Sequence, residues 1–102
     1  MGFFLKDISL KGKTALITGA TKGLGRGAAK AIAQVGGNII AVGRNQSELN
    51  SLGNELKKFK INYIAFNCDV NDYEKLKSFI TTLKKIDILV NNAGTNLPES
   101  FL

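Results

Sequence analysis

The sequence predicts an α/β fold in which three helices alternate with the four strands of a doubly wound parallel sheet. Four short apolar runs lack a clean polar alternation, which is typical of strands covered on both faces. Each segment between these runs repeats apolar residues at steps of three and four, as amphipathic helices do. The connections are short and no linker or repeat separates the elements, so residues 1–102 are assigned to one domain.

The elements are predicted as follows. The four strands are Thr14–Thr18, Asn38–Val42, Asn62–Phe66 and Asp87–Asn91. The apolar stripe of the first helix consists of Leu24, Ala28, Ala31, Ile32 and Val35, and Gly36-Gly37 is expected to end that helix. The stripe of the second helix is Leu49, Leu52, Leu56 and Phe59, and that of the third is Leu76, Phe79, Ile80 and Leu83.

Polar residues predict where the second and third helices begin. Asn45 is followed three positions later by Glu48, and Asn71 is followed in the same way by Glu74. This spacing resembles a capping box, in which the first side chain accepts a hydrogen bond from a backbone amide of the first helical turn. We therefore expect Asn45 and Asn71 to cap these two helices.

The charge balance allows several partners. Fourteen basic residues stand against eight acidic ones, for a net charge of +6, which could attract nucleic acid, an anionic membrane or a phosphorylated small molecule. Most lysines lie at helical spacing among polar neighbours, which favours a solvated helix face. No aromatic-interleaved basic stretch, zinc spacing or recognition helix accompanies them, so nucleic acid is not an expected partner.

The single cysteine and the apolar runs limit the compartment. Cys68 alone can form neither an internal disulfide nor a cysteine-rich metal site, and it favours the reducing cytoplasm. The apolar start of the chain is interrupted by Lys6 and Asp7 and is too short for a signal peptide. No apolar run approaches the length of a membrane span, so no membrane is expected as a partner. Because Cys68 is the only cysteine, no metal is expected either.

A glycine-rich turn directly follows the first predicted strand. It reads Thr18-Gly19-Ala20-Thr21-Lys22-Gly23-Leu24-Gly25, and the helical pattern begins within it. Glycines let a backbone turn sharply and approach phosphates, while the amides and the dipole at a helix start attract the anion. An ordinary strand-to-helix turn is the alternative. Three glycines at this position of a doubly wound fold instead favour a site for a dinucleotide pyrophosphate.

The spacing T-G-x-x-x-G-x-G, together with two later motifs, resembles the short-chain dehydrogenase/reductase family. The later motifs are Asp69-Val70 at the end of the third strand and Asn91-Asn92-Ala93-Gly94 at the end of the fourth. The resemblance extends from Leu10 to Gly94, nearly the whole chain. It implies a Rossmann-like sheet with strand order 3-2-1-4, incomplete relative to the family.

The resemblance also implies a nicotinamide dinucleotide cofactor and a role for each motif. The residues of the glycine turn that are expected to bind this cofactor are Gly19, Thr21, Lys22, Gly23, Leu24 and Gly25. Asp69 is expected to accept a hydrogen bond from the adenine amino group, Val70 to pack beside the ring, and Asn92-Ala93-Gly94 to support the sheet and line a ribose. Alternatively, Asp69 begins a turn and Asn91 or Asn92 satisfies local backbone groups. The shared position at the strand ends favours binding.

The end of the second strand predicts NADP(H) rather than NAD(H). An NAD site usually has an acidic residue about 20 positions beyond the glycine motif, which accepts the ribose hydroxyls. The strand here ends Val42-Gly43-Arg44-Asn45, and the next carboxylate is Glu48. Arg44 and Lys22 can offer positive charge to a 2′-phosphate, and basic residues at these positions resemble the family's NADP-dependent members. Arg44 and the adjacent Asn45 are therefore counted among the expected cofactor-binding residues. The alternative is a surface arginine followed by a helix cap at Asn45.

The resemblance implies hydride transfer between the nicotinamide and a carbonyl or alcohol. The family's catalytic serine, and its tyrosine with a lysine four residues later, follow the N-N-A-G segment by many tens of residues, whereas this chain ends at Leu102. Tyr73 and Lys77 share the Y-x-x-x-K spacing, but they open the helix after the third strand and are read as surface residues. No catalytic residue is therefore assigned.

Two expectations follow for the 102-residue chain. It should bind NADP(H) weakly or not at all and catalyse nothing, although the longer protein would be an oxidoreductase with a small carbonyl or alcohol substrate. A non-catalytic dinucleotide-binding or sensor module is the alternative. The uncovered edge of the fourth strand should also favour a homo-oligomer.

Overall fold

The structure is a computed structural model that describes residues 9–92. In chain order its elements are β1 (Thr14–Thr18), α1 (Gly23–Gln34), β2 (Asn38–Gly43), α2 (Gln46–Leu56), β3 (Tyr63–Asn67), α3 (Tyr73–Thr81) and β4 (Ile88–Asn91). The predicted alternation of strands and helices is confirmed, and the strand ends differ from the predicted ones by at most one residue. Phe59 and Leu83 lie beyond the ends of α2 and α3.

The four strands form one parallel sheet in the order β3-β2-β1-β4, which confirms the predicted topology. Thr18 at the end of β1 is paired with Val42 of β2 on one side and with Asn91 of β4 on the other. Gly43 of β2 is paired with Asn67 of β3. The segments that follow all four strands therefore start at the same edge of the sheet.

The core has two layers, one on each face of the sheet. Ala15 and Ile17 of β1 point into the layer formed with α1 and α2, whereas Leu16 between them points into the layer formed with α3. In the second layer Phe79 of α3 stacks on Phe66 of β3, with the ring centroids 3.9 Å apart. The prediction that strands are buried on both faces is thus confirmed for β1 and β2.

The same prediction is wrong for much of β3 and β4. Ile64 of β3 is 45% exposed, its neighbour Ala65 is also exposed, and the apolar residues of β4 are only partly buried. Both strands lie at the edges of the sheet. Ile64 lies on the face of the sheet that, among residues 9–92, only α3 covers. Ala65 is paired with Ala41 and lies on the face covered by α1 and α2, so its exposure follows from the position of β3 at the sheet edge.

The apolar stripe predicted for α1 is wrong at Leu24 and omits the residues of the helix that are buried. Leu24 is 84% exposed, and the fully buried positions of α1 are Gly25, Ala29 and Ala33, with Ile32 partly buried beside them. Small residues face the sheet because α1 lies close to the backbone that follows β1. The residue that ends the helix is Gly36 with φ 95°, a conformation that favours glycine, so the predicted stop is confirmed.

The predicted helix caps are correct in one case and wrong in the other. Asn45 caps α2, because its Oδ1 accepts a hydrogen bond from the Glu48 amide at 3.0 Å. Asn71 does not cap α3. The cap is Asp72, which accepts from the Lys75 amide at 3.2 Å, while the amide of Asn71 donates to Oδ1 of Asp69 at 2.9 Å. Asn71 is part of the turn that Asp69 starts, which moves the helix start by one residue.

An acidic side chain fastens the beginning of β4 to β1. The backbone amide of Asp87 donates to the Thr14 carbonyl at 2.8 Å, and Oδ2 of Asp87 accepts from the Thr14 amide at 2.9 Å. This hydrogen bond from Thr14, with Lys85 nearby, holds the pKa of the Asp87 carboxyl below its ordinary value.

None of the helices in the described part of the chain combines the length and the apolar character that a membrane span requires.

Candidate functional site

A cavity of about 560 Å³ lies at the carboxyl ends of the strands. Its volume falls in the range of about 300–1,000 Å³ that is common for small-molecule sites. Eight residues predicted for the cofactor line it, namely Gly19, Thr21, Lys22, Arg44, Asn45, Asp69, Val70 and Asn92. It is also lined by residues that the sequence did not single out as ligands, namely Val42, Gly43, Glu48, Cys68 and Asn71.

Five other predicted residues have a different outcome. Gly23, Leu24 and Gly25 do not line this cavity; they form the first turn of α1 beside it. Ala93 and Gly94 lie outside the described residues. Tyr73, at the start of α3, and Lys77 do not line the cavity either, as expected for a coincidental Y-x-x-x-K match.

The glycines of the turn are required for distinct reasons. Gly19 and Gly23 have φ values of 61° and 54°, which residues other than glycine rarely adopt. Gly25 has no room for a side chain, because an added Cβ would stand 2.8 Å from the carbonyl carbon of Gly19 and 2.9 Å from Nδ2 of Asn92. The turn thus bends tightly between β1 and α1 and brings the start of the helix against the strand end.

The amino-terminal end of α1 can accept an anion. Lys22 occupies the cap position but makes no side-chain capping hydrogen bond, and the first turn of α1 contains no acidic residue. Backbone amides at such an end have no intrahelical partner, and the helix dipole makes the end positive. A pyrophosphate or another small anion would therefore be stabilised there.

Arg26 ties the glycine turn to α2. Its Nη1 donates to the Thr21 carbonyl at 3.0 Å, its Nε donates to Oε1 of Glu55 at 2.9 Å, and its Nη2 donates to Ser51 at 3.3 Å. Glu55 also forms an ion pair with Lys30 at 2.7 Å. Hydrogen bonds, the larger effect from Lys30 and the next from Arg26, hold the pKa of the Glu55 carboxyl below its ordinary value. These contacts could not be predicted from residue spacing, because their partners are far apart along the chain.

Thr18 connects the glycine turn to the segment after β4. Its hydroxyl, fully buried, donates to Oδ1 of Asn91 at 3.1 Å and accepts from the backbone amide of Asn92 at 3.1 Å. Nδ2 of Asn92 in turn reaches the Gly19 carbonyl at 3.5 Å. One threonine thereby fixes the position of Asn92 relative to the turn. A role for Thr18 was not predicted, although it begins the motif.

Replacing Thr18 with valine should destabilise the protein and free the Asn92 amide. Valine has the same shape but no hydroxyl, so the partly buried Asn92 amide loses its acceptor, at a cost of about 1 kcal/mol. Thr18→Ser keeps the hydroxyl and is the matched control. Hydrogen exchange of the Asn92 amide should be faster in the valine variant and remain slow in the serine variant. Equal exchange in the two variants would show that the hydroxyl does not hold this segment.

Two cations flank the cavity, and each faces a carboxylate. Nζ of Lys22 lies 3.3 Å from Oε2 of Glu48, and Nη1 of Arg44 lies 3.7 Å from Oδ2 of Asp69. The side chains of Lys22 and Arg44 are 78% and 77% exposed, so both can rotate towards a ligand. Asp69 also starts the turn before α3, as the alternative interpretation of this residue proposed. It therefore both begins a turn and lines the cavity.

Cys68 forms part of the cavity wall and is buried. The residue is only 3% exposed and its thiol donates to the Asp69 carbonyl at 3.2 Å. Burial raises the pKa of the Cys68 thiol, so it stays protonated and weakly nucleophilic at neutral pH. Residues 9–92 contain no group of three or more cysteine, aspartate or glutamate side chains placed to hold a metal ion.

Comparisons with curated proteins give relatives of known activity. The chain is 43% identical over 98 residues to the 2-dehydro-3-deoxy-D-gluconate 5-dehydrogenase of Pseudoalteromonas atlantica, a match that covers 91% of this chain and 39% of the relative. It is 40% identical over 87 residues to the 3-oxoacyl-[acyl-carrier-protein] reductase of Rickettsia bellii, covering 85% and 35% respectively. The chain therefore spans well under half the length of these relatives.

Solved structures share the fold. L-sorbose reductase from Gluconobacter frateurii, complexed with NADPH and L-sorbose, superposes with a TM-score of 0.80 at 34% identity, over 91% of this chain and 37% of that one. Carveol dehydrogenase from Mycobacterium avium, in complex with NAD, gives a TM-score of 0.77 at 31% identity, over 84% and 37%. These neighbours bind a nicotinamide dinucleotide, and they differ in which one.

The family assignment rests on sequence and fold together. A family model described as short chain dehydrogenase matches residues 13–102, which include the glycine turn and every strand of the sheet. The relatives and the strand order agree with that match. The chain belongs to the short-chain dehydrogenase family.

Proposed function

We propose that this chain is the cofactor-binding part of an NADP(H)-dependent oxidoreductase that interconverts a carbonyl and an alcohol by hydride transfer. The observation that carries the proposal is the cavity at the carboxyl edge of the sheet, which has the start of α1 on one side and Arg44 on the other. The relatives named dehydrogenases and reductases support the reaction class.

The residues around the cavity fit a dinucleotide with a 2′-phosphate. The pyrophosphate would be held by the amides at the start of α1, beside Gly19 and Thr21. Asp69 offers a carboxylate for the adenine amino group, and Val70 offers an apolar surface for the ring. The Asn92-Ala93-Gly94 segment would line the ribose. Once bound, the nicotinamide would supply or accept the hydride, while these residues only position the cofactor.

The preference for NADP(H) is proposed from the charges at the end of β2. Arg44 follows Gly43 directly, where an NAD site would present a carboxylate to the ribose hydroxyls. A planar guanidinium can form two parallel hydrogen bonds to a phosphate. Lys22 adds a second positive charge on the other side of the cavity, and Asn45 lines the wall beside Arg44.

The proposal that this chain binds the cofactor but lacks the catalytic residues has a direct test. NADPH oxidation by the 102-residue chain, with a panel of ketoses and 3-oxoacyl thioesters, should remain at the uncatalysed rate. The gene past codon 102 should encode a serine and a later Tyr-x-x-x-Lys, and the polypeptide that includes them should turn over. A stop codon at that point, with dinucleotide binding retained, would instead establish the alternative of a non-catalytic sensor module.

We also propose that the protein is a cytoplasmic homo-oligomer. A reduced, buried Cys68 is compatible with that compartment. Self-association is supported by the exposed apolar surface at the sheet edges, where Ile64 is 45% exposed and Leu89 is only partly buried. Light scattering should give a mass that is a multiple of 11.0 kDa, and a mass of 11.0 kDa at high protein concentration would contradict self-association.

A further inference from the structure

Glu48 occupies an unusual position in the wall of the cavity. It is the first carboxylate after β2, and its backbone amide is anchored by the Asn45 cap at 3.0 Å. Its Oε2 lies 3.3 Å from Nζ of Lys22, across the cavity mouth from α2 to the glycine turn. The Glu48 side chain is 31% exposed, whereas that of Lys22 is 78% exposed. The carboxylate is therefore the better fixed member of the pair.

Each of the two cations of the cavity is paired with a carboxylate. Arg44 is 3.7 Å from Asp69, whose other carboxylate oxygen is already engaged by the Asn71 amide. The Lys22 ammonium is 3.3 Å from the Glu48 carboxylate and forms an ion pair with it. A phosphate that binds Lys22 must displace this carboxylate or bind beside its negative charge. Either event costs free energy that a ligand without the phosphate does not pay.

We propose that Glu48 is a specificity-determining residue, which competes with the cofactor's 2′-phosphate for Lys22 and so limits the selectivity for NADP(H) over NAD(H). The inference rests on the proposed function. Arg44 supplies the attraction for the phosphate, and Glu48 opposes it. The positive charge of Arg44 thus favours binding of NADP(H) and the negative charge of Glu48 disfavours it. The difference between these two effects determines the selectivity for NADP(H) over NAD(H).

Glu48→Gln tests this competition without removing the helix cap, because the cap contact uses the backbone amide. The probes are adenosine 2′,5′-bisphosphate and AMP, which share the adenosine 5′-phosphate and differ in the 2′-phosphate. At low ionic strength, the affinity for the bisphosphate should rise about two- to fivefold in the variant, the worth of an exposed ion pair, while the affinity for AMP stays within experimental error.

Glu74→Gln is the matched control. Glu74 lies in the first turn of α3, is exposed, and does not line the cavity, so the variant makes the same charge change elsewhere. Its ratio of affinities for the two probes should equal that of the unmodified chain. A second variant, Lys22→Met, removes the contested cation. The gain from Glu48→Gln should disappear in that background if the carboxylate acts through Lys22.

The outcomes separate the two proposals. An unchanged affinity ratio in Glu48→Gln overturns the inference, and so does a gain that is equally large without Lys22. In both cases a preference of the unmodified chain for the bisphosphate still supports the proposed function. Equal affinities for the two probes in both the unmodified chain and Glu48→Gln overturn both proposals together.

Discussion

Replacing Gly25 with alanine should abolish dinucleotide binding and destabilise the protein. The added Cβ would overlap the carbonyl oxygen of Gly19 and stand 2.9 Å from Nδ2 of Asn92. Movement of either group is opposed by a backbone hydrogen bond, because the Gly19 amide donates to the Val42 carbonyl at 3.1 Å and the Asn92 amide donates to the Thr18 hydroxyl at 3.1 Å. The start of α1 must shift away from the strand end, which also moves the amides that would hold the pyrophosphate.

The expected loss of stability for Gly25→Ala is about 1–3 kcal/mol, the usual cost of overpacking. Gly27→Ala is the matched control, because it lies in the same helix and an added Cβ there meets nothing within 4 Å. In an exposed helix position, alanine should raise stability by up to about 1 kcal/mol and leave binding unchanged. Urea unfolding and an NADP(H) titration measure both effects, and similar behaviour of the two variants would contradict this account of the turn.

Replacing Arg44 with aspartate should reverse the cofactor preference. The variant presents a carboxylate where the 2′-phosphate is expected, so it repels NADPH and can accept the ribose hydroxyls of NADH. Loss of a charge-assisted contact corresponds to a fall in NADPH affinity of about ten- to a hundredfold. The affinity for NADH should stay equal or rise.

Arg44→Lys separates charge from geometry in the same experiment. Lysine keeps the positive charge and loses the planar pair of donors, so its NADPH affinity should lie between those of the unmodified chain and Arg44→Asp. Calorimetric titrations of the unmodified chain and the two variants with both cofactors give the six affinities needed. If Arg44→Asp weakens NADPH and NADH by the same factor, Arg44 supports the fold of the cavity and does not read the phosphate.

The order of the elements could be predicted because local signals agree with the global fold. The apolar runs, the Asn45 cap and the positive-φ stop at Gly36 each have a local physical cause. The packing face of α1 could not be predicted from apolar spacing. Leu24 fits the helical rhythm and is exposed, whereas Gly25 is buried because the backbone of Gly19 approaches it. That approach exists only in three dimensions.

The lining of the cavity could be predicted where its residues lie close to the ends of strands. Arg44, Asp69 and Asn92 meet at one edge because parallel strands end together, and this follows from the topology alone. Thr18 and Glu48 were missed because their partners lie on other segments. Neither the hydrogen bond from the Asn92 amide to Thr18 nor the pair between Lys22 and Glu48 leaves a spacing that a sequence can reveal.

Backbone amide chemical shifts of the labelled chain, recorded during titration with NADP⁺ and with NAD⁺, show where a nucleotide binds even when binding is weak. We expect the largest shifts on Gly19, Thr21, Gly23 and Arg44, and we expect NADP⁺ to reach half-saturation at the lower concentration. Shifts that cluster on the lysine-rich surface of α3, or half-saturation at a lower concentration of NAD⁺, would show that the cavity at the strand ends is not an NADP(H) site.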